Sequence, residues 1–333
     1  MKFLSIIIPH YNLPKELLMR CIDSIIAQEM PDDSYEIIVV DDGSIDPPLW
    51  AQKKYDNVLR VIANEHTGPG GTRNKGIEVA EGKYIQFVDA DDCIPDNTLC
   101  ACLDIIRSER PKIFRFQYRI CKSESEITKE ANKHAIRYSN TTSGASFMAD
   151  NNLCGAPWTY IFEREVAIKH NIRFETNVYH EDEEFNTKLH YHATSIIESN
   201  IIAYNYCIRK ESITSNTDKQ FEEKRINDLF SLLKRLITFK DSVYSISNPL
   251  QQKGLDRKLA TLTVDTIINL FFAGKSAKEV HNLCKTELKE FALYPLPKRS
   301  FSVKYRIFRK LANNIFGIYI LRFILPAHKP DKR

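Results

Sequence analysis

Short apolar runs alternate with helical patterns through the first part of the chain. Leu4-Ser5-Ile6-Ile7-Ile8 has the continuous hydrophobicity of a strand covered on both faces, and Pro9 stops it. Pro14 then opens a helix with Leu17, Leu18, Cys21, Ile22, Ile25 and Ile26 along one stripe. Residues 36–40 and 58–63 repeat the strand signature, ended by Asp41-Asp42-Gly43-Ser44 and by Asn64. A glycine-rich stretch, residues 68–76, runs into a short helix through Ala80, and residues 84–88 form a fourth apolar run. Strands that alternate with helices predict an α/β fold with a mainly parallel, Rossmann-like sheet flanked by helices.

Further along, residues 113–120 alternate strictly between apolar and polar, which predicts a strand with one wet face. Residues 122–133 are highly charged and read as a loop or exposed hairpin. Residues 157–162 read as a strand, in which Trp158 is either a stacking platform or core. His180-Glu181-Asp182-Glu183-Glu184-Phe185 leads into a helix, and residues 195–208 read as another strand. Beyond residue 221 the pattern is helical over 226–239, 255–272 and 277–291, until Pro295-Leu296-Pro297 breaks it. These shifts divide the chain into residues 1–215 and a helical region, 216–333.

Composition adds little until charge is located. A hydrophobic share of 43% and a charged share of 27% fit a globular protein. From Lys298 onward there are ten Lys or Arg and one Asp, a net charge of +9, although the whole chain carries only +4. The body before Lys298 is therefore mildly acidic, which argues against a broad nucleic-acid footprint. Eight cysteines are scattered with no CxxC pair and no zinc-ligand spacing, and they are expected to be reduced thiols. No charged leader precedes an apolar signal segment, and no apolar run reaches membrane-spanning length, so a cytoplasmic protein is expected.

Each of the four strand ends delivers polar side chains: Pro9-His10-Tyr11-Asn12, Asp41-Asp42, Asn64 with the glycine-rich stretch, and Asp89-Ala90-Asp91-Asp92. In open parallel sheets ligands bind outside the carboxyl ends of the strands, so four polar ends on one edge predict a site. If the fourth strand continued, Asp89 and Asp91 would project on one face with Asp92 pointing away. Such a carboxylate pair suits a hard divalent ion whose remaining ligands are substrate phosphates; a solvated turn is the alternative. The glycine-rich stretch has neither Walker nor GxGxxG spacing. Its glycines allow close backbone approach and Arg73 offers a cationic fork, unless they merely form a tight turn. Glu181 and Asp182 start a helix, where acidic residues are favoured by the dipole, or face the site as a general base.

Taken in order, Ser5-Ile6-Ile7-Ile8-Pro9-His10-Tyr11-Asn12, Ile38-Val39-Val40-Asp41-Asp42-Gly43-Ser44, Gly68-Pro69-Gly70-Gly71-Thr72-Arg73-Asn74-Lys75-Gly76, Asp89-Ala90-Asp91-Asp92 and Glu181-Asp182 resemble the family-2 glycosyltransferases of the GT-A fold. The resemblance spans roughly the first 215 residues. Thr72 stands where that family usually has alanine. The resemblance implies an inverting, metal-dependent transfer from a nucleotide sugar, expected to be UDP-linked, to a glycan or lipid-linked saccharide in polysaccharide biosynthesis. It implies that Pro9, Tyr11, Asn12, Asp41 and Arg73 line the nucleotide, with Tyr11 near the uracil and Asp41 accepting a hydrogen bond from the base. Asp89 would hold the ribose or the metal, and Asp91 would ligate Mn2+ or Mg2+. Asp182 would be the catalytic base, with Glu181 as second choice, and Trp158 would belong to the binding surface. Two other readings use the same residues: a sugar nucleotidyltransferase, and a nucleotide-binding module without catalysis.

The tail raises a separate expectation. Phe301, Tyr305, Phe308 and Leu311 share one helical stripe interleaved with Lys304, Arg306, Arg309 and Lys310, and residues 315–325 add an apolar run. A basic amphipathic segment suits an anionic membrane surface, which would make the protein peripheral on the inner face of the cell membrane. Packing of the apolar stripe on the catalytic domain, with ordinary solvated charges, is the competing expectation.

Overall fold

The computed structural model describes residues 2–127, 135–153, 155–209, 219–299 and 301–325. Seven strands form one sheet: β1 (Leu4–His10), β2 (Tyr35–Asp41), β3 (Leu59–Ala63), β4 (Tyr84–Phe87), β5 (Ile113–Cys121), β6 (Tyr160–Glu163) and β7 (Ile196–Cys207). Among them run α1 (Lys15–Ile26), α2 (Leu49–Lys54), α3 (Gly68–Val79), α4 (Thr98–Glu109), α5 (Gly144–Asp150), α6 (Arg164–Lys169) and α7 (Glu181–His192). The remaining helices are α8 (Lys219–Val243), α9 (Pro249–Phe272), α10 (Ala277–Leu283), α11 (Val303–Ala312) and α12 (Ile315–Ile324). The chain divides into two compact units, one of residues 1–144 and 155–215, the other of residues 145–154 and 216–333.

In the first unit the strand order is β3-β2-β1-β4-β6-β5-β7. β1, β2, β3 and β4 are mutually parallel, β6 runs antiparallel to both neighbours, and β7 is parallel to β5. The mixed, mainly parallel sheet expected from the pattern is therefore present. β1 lies at the middle of the parallel part, and Leu4, Ile6, Ile7 and Ile8 are fully buried there, as a strand covered on both faces requires. The α1 stripe packs Leu18, Cys21, Ile22 and Ile25 into the same core. Gly76 of α3 lies close over β1: a Cβ there would come within 2.3 Å of an Ile7 methyl.

Two local expectations change. Residues 157–159 form a 3-10 turn, and only Tyr160–Glu163 pairs as strand. The fourth strand stops at Phe87, so Asp89, Asp91 and Asp92 lie in a turn closed by the Asp92 N–H donating to the Asp89 carbonyl at 3.0 Å. Strand alternation therefore does not set where these carboxylates point, and Asp92 is buried rather than turned away. The charged residues 122–133 include a short 3-10 turn, Glu124–Glu126, and residues 128–133 lie outside the described residues.

The second unit is helical. Leu229, Leu232, Leu233 and Leu236 of α8 pack with Leu259, Leu262, Ile267, Leu270 and Phe271 of α9, and with Val280, Ile318 and Leu321. Asn248 caps α9 reciprocally with Gln251: the Gln251 N–H donates to Asn248 Oδ1, and the Asn248 N–H to Gln251 Oε1, both at 2.9 Å. Among the described residues no helix is long and apolar enough to cross a membrane.

Asn248→Ala removes that cap and should cost about 1 kcal/mol of stability in urea unfolding. A second expectation concerns acid. The His192 ring stacks on His170 at 3.8 Å, and burial together with the neighbouring imidazole lowers its pKa to about 4. Between that value and the ordinary histidine range the unfolded chain binds more protons than the folded one, so this group destabilises the fold as pH falls through the window. The urea midpoint should fall less steeply from pH 7 to pH 5 in His192→Gln than in the parent chain, and equal slopes would remove His192 from the acid response.

Candidate active site

The sequence brings three acidic clusters to the carboxyl edge of β1, β2 and β4, and each meets a different partner. At the end of β2, Asp41 is nearly inaccessible; its Oδ1 lies 2.8 Å from His10 Nδ1 and its Oδ2 accepts the Ser44 N–H at 3.0 Å. Asp42 instead holds the start of α3: its two oxygens accept the Thr67 N–H at 2.8 Å and the Gly68 N–H at 2.9 Å. A carboxylate there satisfies donors that the helix itself leaves open and complements its dipole. The loop after β1 is tied to the same place, since the Asn12 N–H donates to Ser44 Oγ and Asn12 Oδ1 accepts the Ile45 N–H. Tyr11 is half exposed and its ring lies on that of His66, 4.5 Å between centroids. These contacts bring Tyr11, Asn12 and Asp41 together beside Pro9, on the edge expected for a ligand.

Arg73 connects α3 to the other two clusters. Its Nη1 donates to Glu181 Oε1 and its Nη2 to Asp89 Oδ1, each at 3.0 Å. Phe87 and Phe174 lie under the guanidinium at 5.9 and 5.6 Å. Burial works against the Arg73 charge, but Asp89, Glu181 and Asp182 more than offset it and hold its pKa above the ordinary value. Burial raises the pKa of Asp89 and of Glu181 in turn, and Arg73 opposes the rise in both. The backbone is shaped to this contact. A Cβ on Gly70 would stand 2.4 Å from the Glu175 carbonyl oxygen and 3.0 Å from Glu181 Cγ, so only glycine lets α3 approach the start of α7 this closely.

Asp91 and Asp92 have opposite surroundings. Asp91 is partly exposed; its Oδ2 accepts from Arg209 Nε at 2.6 Å, and its backbone carbonyl accepts from Arg20 Nη2 at 2.6 Å. Asp92 is enclosed: the Tyr204 hydroxyl donates to its Oδ2 and the Cys207 N–H to its Oδ1, both at 2.7 Å. The same Tyr204 oxygen accepts the Asp89 N–H at 3.0 Å, so one side chain of β7 fixes both ends of the acidic turn. Burial, and then the charges of Asp89 and Asp91, push the pKa of Asp92 well up.

Asp182 stands on the first turn of α7, partly exposed, with its Oδ1 accepting the Glu183 N–H at 2.9 Å. Glu181, one residue earlier, is committed to Arg73. Trp158 is buried against Tyr204 and Tyr206, with centroids 4.5 and 5.4 Å away. It reaches the acidic turn through Tyr204, and its place is in the aromatic core. Four residues that the sequence reading did not single out help build the edge: His10, Arg20, Tyr204 and Arg209. Only His10 stood inside a strand-end cluster; Arg20 comes from α1, Tyr204 from β7 and Arg209 from just beyond the end of β7.

The donor set around the acidic turn is carboxylate oxygen, which fits a hard divalent cation that takes its other ligands from substrate phosphates. Among the described residues no group of three His, Cys, Asp or Glu is arranged to hold a metal by itself. Asp91, partly exposed, and Asp89 are the residues that would hold one.

Tyr204→Phe deprives Asp92 Oδ2 and the Asp89 N–H of their shared partner. It should lower stability by about 1–3 kcal/mol, read from urea unfolding; an unchanged midpoint would mean that the acidic turn holds without it.

Comparison with known proteins gives three similarities. Over 101 residues, 29% of this chain and 16% of the relative, the sequence is 45% identical to poly(ribitol-phosphate) beta-glucosyltransferase of Bacillus spizizenii. The chain thus matches a small part of that protein's length. The structure of residues 1–349 of S. aureus TarS in complex with UDP-GlcNAc superposes with a TM-score of 0.70 at 21% identity, covering 97% of this chain and 89% of that one. A mannosyltransferase of Pyrobaculum calidifontis, in complex with GDP-Man and Mn2+, gives a TM-score of 0.54 at 16% identity over 96% and 87% of the two chains. These two likenesses confirm the fold. The model of glycosyl transferase family 2 matches residues 5–171, half the chain and every strand-end cluster from Pro9 to Asp92, and the protein belongs to that family.

Proposed function

We propose that this protein is an inverting glycosyltransferase that moves a sugar from a UDP-linked donor to a glycan or lipid-linked saccharide. The observation that carries the reading is the linkage through Arg73. It joins the acidic turn at the end of β4 to the start of α7, beside the edge that holds Tyr11, Asn12 and Asp41. Nucleotide, diphosphate and acceptor chemistry then have adjacent places. TarS binds UDP-GlcNAc in the neighbouring structure, and the named relative acts on poly(ribitol phosphate); both support a UDP-sugar donor and a surface-polymer acceptor.

In this reading the uracil lies against Tyr11, with Asp41 accepting from the base, and Arg73 and Asp89 bound the ribose and sugar. Asp91 and Asp89 would hold Mn2+ or Mg2+, which when bound would supply positive charge to the departing diphosphate. Arg209, paired with Asp91, adds a fixed cation at the same end. Asp182 takes the proton of the acceptor hydroxyl as its oxygen bonds to the anomeric carbon, while the bond from that carbon to the diphosphate breaks and its electron pair leaves with UDP. A single displacement of this kind inverts the configuration and needs its base opposite the leaving group. Glu181 is a poorer base, because its ion pair with Arg73 would have to break. The saccharide acceptor of such a reaction is commonly carried on lipid or polymer at the inner face of the membrane, which is where we place the protein.

The test is release of nucleoside diphosphate from a panel of UDP-, GDP- and TDP-sugars, with and without Mn2+. Metal-dependent release from one UDP-sugar is expected. Asp182→Asn should keep donor binding and lose about 100-fold or more in acceptor-dependent turnover; full turnover would move the base to Glu181. UDP binding with no release under any acceptor would leave a nucleotide-binding module.

A further inference from the structure

The C-terminal hairpin of α11 and α12 has two faces, and the inner one is fully engaged. Tyr305, Ala312, Ile318 and Leu321 are buried. The Tyr305 hydroxyl donates to the Pro297 carbonyl and the Tyr294 hydroxyl to the Ala312 carbonyl, both at 2.9 Å. Asn313 bonds the backbone of Leu296 in both directions, at 2.8 and 3.0 Å. Gly317 packs so closely on α11 that a Cβ would stand 2.1 Å from the Leu311 carbonyl oxygen. The stripe of Phe301, Tyr305, Phe308 and Leu311 expected to meet a membrane is thus half-buried to buried, and Phe308 and Leu311 pack on the core of the second unit. The stripe packs inward on the helical core of the second unit, where the competing expectation had it on the catalytic domain.

The outer face is apolar as well. Phe316, Tyr319, Ile320, Phe323 and Ile324 recur at helical spacing along α12, and all are exposed, Phe316 by 79% and Phe323 by 94%. Val303 and Ile307 are exposed on α11. A helix that is apolar all round belongs in a core or in lipid, and among the described residues only one side of α12 is covered. Lys304, Arg306 and Lys310 stand exposed on α11 without a carboxylate partner among the described residues. No Asp or Glu occurs between Lys298 and Pro330.

We propose that this outer face is a docking surface for an anionic lipid bilayer, with Phe316, Tyr319, Ile320 and Phe323 entering the headgroup–acyl boundary and Lys304, Arg306 and Lys310 contacting phosphate headgroups. The charge pattern selects this occupant over a second copy of the chain, because two such hairpins would bring unrelieved positive charge together. An amphipathic surface of this kind lies in the interface without crossing it, its apolar side taken up by acyl chains and its cations by anionic headgroups. The inference extends the proposed function by naming the surface that meets a lipid-borne acceptor, and its test does not depend on catalysis.

The full chain would be floated with phosphatidylcholine vesicles and with vesicles that also contain phosphatidylglycerol, without substrate, at low and high salt. Salt-sensitive binding to the anionic vesicles is expected, at least about tenfold above the neutral ones. Phe316→Ser with Phe323→Ser, and separately Arg306→Glu with Lys310→Glu, should each reduce it about tenfold or more. Thermal melting checks that each variant is folded, and donor hydrolysis in solution, where present, should be unaffected. Failure of the parent chain to bind either vesicle, or undiminished binding by the charge-reversed variant, would overturn the proposal. So would a dimer in light scattering that the phenylalanine variant splits, which would assign the face to self-association. Loss of UDP release with intact flotation would count against the proposed reaction alone.

Discussion

A guanidinium taken out of water must be surrounded by opposite charge, and Arg73 meets that condition by drawing together three segments far apart in sequence. Asp89 comes from the turn after β4, Glu181 from the start of α7, and the arginine itself from α3. Losing one partner of a buried pair of this kind leaves an uncompensated charge, at about 3–5 kcal/mol. The position of α3 is in turn set by Asp42, whose carboxylate closes the helix start, and by Gly70, whose missing side chain admits the Glu175 carbonyl. The two aspartates that end β2 therefore divide their work. Asp41 pairs with His10 beside Tyr11 and Asn12, and Asp42 aims the helix that carries Arg73.

In the proposed reaction this edge takes a cation, and the electrostatics of the acidic turn supports that reading. Asp89, Asp91 and Asp92 lie within one turn, and Arg73 and Arg209 each pair with only one of them. Burial raises the pKa of Asp89 and of Asp92; the charge of Asp91 adds to both, and that of Asp89 adds to the rise of Asp92. Tyr204 and the Cys207 N–H relieve Asp92 through hydrogen bonds, which leaves Asp91, partly exposed, as the carboxylate best placed to meet a cation arriving with a diphosphate.

Much of this was legible in the residues before any coordinates. Continuous apolar runs marked β1, β2 and β4 because strands buried on both faces admit little else, a further run marked the edge strand β3, and the polar ends of those runs marked the edge. The details that failed were those that depend on pairing. Strand alternation put Asp89 and Asp91 on one face, but β4 stops at Phe87 and hydrogen bonds from β7 shape the turn. Tyr204 and Arg209 were illegible for the same reason, since nothing local in residues 196–209 shows that β7 ends against the acidic turn. In the tail, amphipathic periodicity found the helices but left open whether the stripe of Phe301, Tyr305, Phe308 and Leu311 meets a membrane or packs inward. Both stripes are apolar, and only the contacts of Tyr294, Leu296 and Asn313 show which one the protein covers.

In the proposed reaction Asp91 is where metal and diphosphate meet, and a binding titration tests that assignment most directly. UDP would be titrated into the protein with Mn2+ present and absent, and into Asp91→Asn. Binding that strengthens with Mn2+ in the parent chain and loses that dependence in the variant is the predicted result. Equal UDP affinity in both proteins, with or without the metal, would contradict the assignment of the acidic turn to the diphosphate.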